Sequence, residues 1–133
     1  MLFALFSLAL AAPSTFQAPP LPVCSDIALL VKYDYTYVQT HHCALCGKAG
    51  EEFCTFDWPF NDVPSCSALD ELRNGIYAYY GRPFESARWQ SWVAKLDWYK
   101  ADPAYADSRL SPEAQRNVAY LKESAEAGRG CTK

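Results

Sequence analysis

Between residues 69 and 80 apolar side chains recur at the spacing of an α-helix, with Leu69, Leu72, Ile76 and Tyr80 on one stripe. Ser67, followed three residues later by Asp70, has the form of an N-terminal cap. Gly81 stands where a helix often ends on a residue of positive φ, and Pro83 prevents continuation. The spacing predicts a helix from about Ser65 to Tyr80. On its wheel Tyr80 points inward, Tyr77 and Tyr79 flank the apolar face on opposite sides, Ala78 faces out, and Arg73 falls beside the inward face, where its guanidinium must snorkel or meet an acid or carbonyls. A second helix is predicted over 86–97, with Trp89, Trp92 or Val93, and Leu96 on one side. A third opens at Ser111, with Pro112 at the first helical position and Glu113 at the positive end. It buries Ala114, Val118, Leu121 and Ala125 and stops at Gly128.

The first half of the chain is patterned differently. Alternate residues Ile27, Leu29, Val31, Tyr33, Tyr35 and Tyr37 are apolar or aromatic, whereas Lys32, Asp34 and Thr36 fill the other face, which predicts a strand. A helix over the same stretch would have to bury Asp34. Residues 41–65, rich in cysteine, glycine and proline, read as turns, and "STFQAPPLP" (14–22) as an extended linker. The opening apolar run, Leu2 to about Ala12, is shorter than the roughly twenty residues a membrane span requires. With small residues behind it, it reads as a secretory signal, with the mature chain expected to begin between Ala12 and about Pro20 and a cut after Ala11 fitting the small residues Ala9 and Ala11. The expected fold is mainly α: signal peptide 1–18, linker and Cys-rich extension 19–64 holding the one strand, and a compact three-helix domain over 65–131.

Composition adds a compartment more than a chemistry. Half of the 133 residues are apolar, the net charge is −3, and the scattered Lys and Arg form no basic stripe, which argues against nucleic-acid binding. Six cysteines, Cys24, Cys43, Cys46, Cys54, Cys66 and Cys131, are many for a chain this size. Behind a signal peptide an even count reads as disulfides, with Cys131 reaching back to the other five, although the pairing stays open. "THHCALCGKAGEEFC" also offers His41, His42, Cys43, Cys46 and Cys54, from which His42, Cys43, Cys46 and Cys54 form an alternative tetrahedral zinc set or a redox CxxC. The chain has no GxSxG, no HExxH and no Gly-rich phosphate loop, and Glu51, Glu52, Asp57 and Asp62 read as solvated carboxylates. No catalytic residue is nominated and no cofactor is expected. A small hydrolase would need a groove lined by Trp89, Trp92, Trp98 and Tyr99.

Three blocks carry a family resemblance. "LRNGIYAYYGRPF" (72–84), then "WYK" (98–100), then "LSPEAQRNVAYL" (110–121) resemble the YARHG domain, a small module of exported bacterial proteins, over about residues 67–127. The signature falls on Tyr77, Ala78, Tyr79, Tyr80 and Gly81, with Trp98 and Tyr99 in the second block. The Arg and His of the family's name are both tyrosine here, and Gly75 stands where the family tends to carry a larger residue. The resemblance implies fold and compartment, without an established activity. The function expected is that of an exported, non-enzymatic module, secreted or periplasmic, that binds a protein, peptide or envelope ligand. If the signature is a packing device, Tyr80 and Trp98 should be largely buried and Tyr79 less so.

Overall fold

A computed structural model describes residues 16–47 and 65–127. Among them are five α-helices and no strand: α1 (Asp26–Leu30), α2 (Tyr35–Leu45), α3 (Cys66–Tyr79), α4 (Ala87–Val93) and α5 (Pro112–Glu126), with a 3-10 turn at Asp107–Arg109. The fold is mainly α, as expected. No helix of the described residues is long and apolar enough to cross a membrane.

The two long helices of the second half follow their local signals. In α3 the cap is Ser65, whose hydroxyl accepts from the Ala68 N–H at 3.2 Å. The expected cap, Ser67, already lies inside the first turn, whereas Ser65 has the extended backbone a cap requires. At the other end Gly81 adopts φ +85°. Its N–H donates to the Ala78 carbonyl and that of Arg82 to the Tyr77 carbonyl, a Schellman closure. In α5 the Ser111 hydroxyl accepts from the Ala114 N–H at 3.1 Å and Pro112 opens the helix. Helix α4 is shorter than predicted. After Val93 the chain tightens into i→i+3 turns, with Lys95 bonded to Trp92 and Leu96 to Val93.

The expected strand over 27–37 is overturned. The chain instead forms α1, a turn, and α2, because Asp34 is the residue between two helices rather than a member of one. Ser25 caps α1 through the Ala28 N–H. Asp34, in extended backbone, is the N-cap position of α2, and its carboxylate accepts from the Thr36 hydroxyl at 2.6 Å. With the break at 31–34, no helix has to bury Asp34, and Leu29, Leu30, Val31, Tyr35 and Val38 all reach the interior. Tyr33, Tyr37 and His41, at steps of four, stack down the side of α2 at 5.7 and 4.2 Å between ring centres.

These residues join Leu69, Leu72, Ile76, Tyr80, Leu110, Ala114, Val118 and Leu121 in a single core. Helix α3 packs on α5 and on α1, and α1 also touches α5. With neighbours on several sides, α3 buries more than one stripe, and Ala78, expected to face out, is 2% exposed. Gly75 is buried as well, since a Cβ there would lie 2.5 Å from Ile27 Cδ1 of α1. The missing side chain is the socket into which α1 docks. Arg73 meets an acid, Asp70, at 3.4 Å.

Two polar residues of α5 and its cap join the halves. Asn117, 1% exposed, accepts from the Tyr35 N–H at 2.8 Å and donates to the Leu30 and Tyr33 carbonyls at 2.7 and 2.9 Å. All of its amide's hydrogen atoms are used, and the end of α1 is tied to the start of α2. The Ser111 hydroxyl donates to the Val31 carbonyl at 2.6 Å.

A disulfide joins Cys24 to Cys46, with Cα atoms 5.5 Å apart, closing the segment that holds α1 and α2. Cys43 and Cys66 are disulfide-bonded too, and no described cysteine is free. Cys54 and Cys131, with Glu51, Glu52, Asp57 and Asp62, lie outside the described residues, as does the expected stop at Gly128. The segment expected to be a linker packs on the fold: the Phe16 ring stacks on Tyr80 at 5.4 Å and takes the Arg109 guanidinium over its face at 5.2 Å.

Candidate ligand-binding grooves

The residues at the end of α3 divide by direction. Tyr80 is 6% exposed and its hydroxyl accepts from the Ser111 N–H at 3.2 Å, which satisfies the polar tip of a buried ring. Gly81 is closed over by the chain at 100–102: the Asp102 N–H donates to its carbonyl at 2.8 Å, and a Cβ at 81 would lie 3.0 Å from Asp102 Cβ. Arg109 completes this corner. Its guanidinium donates to the Tyr80 carbonyl at 3.0 Å and to Asp102 Oδ2 at 2.7 Å, placing a cation at the negative end of α3. Hydrogen bonds from the Ala104 N–H and from Arg109 hold the Asp102 carboxyl below the usual range. Tyr99 donates its hydroxyl to the Arg82 carbonyl at 2.7 Å and tilts against Phe84. Tyr80, Gly81 and Tyr99 are thus occupied with holding the chain together.

Tyr77 and Tyr79 face outward on opposite sides, as the wheel predicts. Tyr79 is half-buried beside Phe16 and Tyr80, and burial first, then Tyr80, raises its phenol. With Phe16, Pro19, Trp98 and Lys100 it lines a groove of about 580 Å³ along the 16–20 segment. Tyr77 lines a larger open groove of about 850 Å³, together with Arg73, Arg82, Phe84, Trp89 and Tyr105. The Arg82 guanidinium lies 4.2 Å over the Tyr77 ring. The Tyr105 hydroxyl donates to Asp107 Oδ1 at 2.6 Å, and burial together with that carboxylate pushes its phenol well up. Lys122 of α5 and Glu85 reach the same groove.

A third cleft of about 430 Å³ lies between α1, α3 and the segment from α4 to 98, walled by Trp92, Trp98, Leu96 and Ile27. The four aromatics expected to share one groove do not converge. Trp89 serves the groove over Tyr77, Trp92 and Trp98 the cleft, and Tyr99 neither. Trp98, expected to be largely buried, is half-buried because it forms a wall between two grooves.

The alternative metal set is not assembled. Cys46 is bonded to Cys24 and Cys43 is disulfide-bonded, so neither offers a thiolate, and His42 turns Nδ1 toward the Val38 and Gln39 carbonyls of its own helix. The same bonds remove the CxxC as a free dithiol. Among the described residues no group of three or more His, Cys, Asp or Glu side chains converges. Arg82, Tyr105 and Asp107 were not legible as groove residues. Only the turn-forming composition around Arg82 and Asp107 marks them in the sequence.

No curated protein and no solved structure matches the chain. A family does: the YARHG domain matches residues 60–126, half of the 133-residue chain, and covers α3, the tryptophan segment and α5. With the end of α3 closed by a glycine and braced by the two later blocks, the chain belongs to the YARHG domain family.

Proposed function

We propose that this protein is an exported, non-enzymatic binding module, secreted or periplasmic, that holds a protein, peptide or other envelope ligand in the groove over Tyr77. The carrying observation is the division of labour at the end of α3. Tyr80 and Gly81 are spent on packing, while Tyr77 faces an open groove of about 850 Å³ among Phe84, Trp89 and Tyr105. Aromatic walls with a few polar groups are the usual make-up of a recognition site. Among the described residues Arg82 and Lys122 meet no carboxylate within ion-pair distance, which leaves both available to a ligand. Four disulfide-bonded positions, Cys24, Cys43 and Cys46 in the first half and Cys66 at the start of α3, support an oxidising compartment.

The test compares wild type with Tyr77→Ala and Arg82→Glu, each immobilised and challenged with fractionated envelope peptides and glycans. Both substitutions should leave stability within about 1 kcal/mol and abolish retention of a fraction that wild type holds. Retention by both variants equal to that of wild type would reject the groove as the binding face.

A further inference from the structure

The cleft beyond α3 differs from the groove over Tyr77 in sign. Its lining includes two carboxylates, Asp26 and Glu71, and neither Lys nor Arg. Asp26 is the unusual member. It is half-buried at the edge of the cleft, and among the described residues no cation pairs with it. An acid in the first turn of a helix is favourable by itself. That placement does not account for a carboxylate set against an apolar wall without a counter-charge, an arrangement that disfavours ionisation. The carboxyl is accordingly raised above its ordinary value by burial, only partly offset by a hydrogen bond from its own backbone N–H. Around it stand Trp92 and Trp98, whose ring faces attract cations, and Ile27, Leu72 and Leu96, which offer an apolar floor.

We propose that this cleft binds a primary amine carried on an apolar stem, as in a lysine side chain of an extended peptide. The stem lies along Leu72, Leu96 and the indoles, and the ammonium is drawn to Asp26 and Glu71. This site is separate from the groove over Tyr77 and stands or falls without it.

The probes are Nα-acetyl-lysine amide and its neutral counterpart Nα-acetyl-norleucine amide, added at millimolar concentration to the full chain while the indole N–H resonances are followed. The lysine probe should shift Trp92 and Trp98, leave Trp89 in place, and bind about tenfold more tightly than the norleucine probe, or roughly 1.4 kcal/mol. Asp26→Asn should diminish that preference, and Asp26→Asn combined with Glu71→Gln should erase it. The single variant must remain folded, and the raised carboxyl gives the sign. Charge on Asp26 disfavours the native state at neutral pH and ceases to do so below its ordinary value of 3.8, so the variant should melt at or above the wild-type temperature at pH 7. Equal binding of both probes, a shift confined to Trp89, no shift at all, or an undiminished lysine preference in a folded Asp26→Asn protein would each overturn the proposal.

Discussion

Asn117 holds one acceptor and two donors against backbone groups at the end of α1, in the turn after it and at the start of α2. Replacing it with Leu keeps the volume but strands the Tyr35 N–H and the Leu30 and Tyr33 carbonyls in the interior. At about 1–3 kcal/mol for a buried polar group left without its partner, the loss should reach roughly 3–5 kcal/mol. Urea denaturation of Asn117→Leu measures it, and a midpoint equal to wild type would mean that water or a shifted α2 satisfies these groups. A signal was present at this position, although the stripe read from the sequence named only Ala114, Val118, Leu121 and Ala125. Residue 117 is three past Ala114 and four before Leu121, so it falls inside the stripe that α5 buries, and a polar residue there has to find partners. Arg109 carried no such mark, because its partners, the Tyr80 carbonyl and Asp102, are brought beside it only by the folding of the 98–106 segment.

At the scale of elements, α3 and α5 were legible because their ends are written locally: serine caps, a proline at the start of one, a glycine at the end of the other. The buried face of α5 was legible, whereas that of α3, which packs on both α5 and α1, was legible only in part. Ala78 and Gly75 were placed by what packs on α3 from the far side, which no period within α3 reveals. The strand expected over 27–37 failed for a related reason, since alternation in a short run is compatible with two helices that break at Asp34. The docking of α1 can be tested at its contact. Gly75→Ala places a Cβ 2.5 Å from Ile27 Cδ1 and 3.2 Å from Cγ1, which the Ile27 side chain must relieve by turning or α1 by shifting. The expected destabilisation is about 1–3 kcal/mol, and Ile27→Val, which removes Cδ1, should recover much of it in the double variant. Thermal melts of the three proteins decide the point, and strictly additive losses would show that the two residues do not meet.

Across the whole molecule, the Cys-stapled half and the family domain share one core, so neither is finished without the other. The Cys24–Cys46 bond limits how far α1 and α2 can stray when that core opens. Its ends are 22 residues apart in sequence, for which loop-closure entropy predicts about 3 kcal/mol. The double variant Cys24→Ser, Cys46→Ser should lose that much in a denaturant titration, while an unchanged midpoint would assign the position of α1 and α2 to Gly75, Ser111 and Asn117 alone. The two grooves differ in charge on either side of α3, one mixing Arg73, Arg82 and Lys122 with Glu85 and Asp107, the other holding only Asp26 and Glu71. The ring of Phe16, stacked on Tyr80 beneath the Arg109 guanidinium, reaches further than packing. A chain shortened past Phe16 would expose the Tyr80 ring and the Arg109 guanidinium at that corner. A fusion partner joined close to Phe16 would therefore press on the groove of Tyr79 and Trp98.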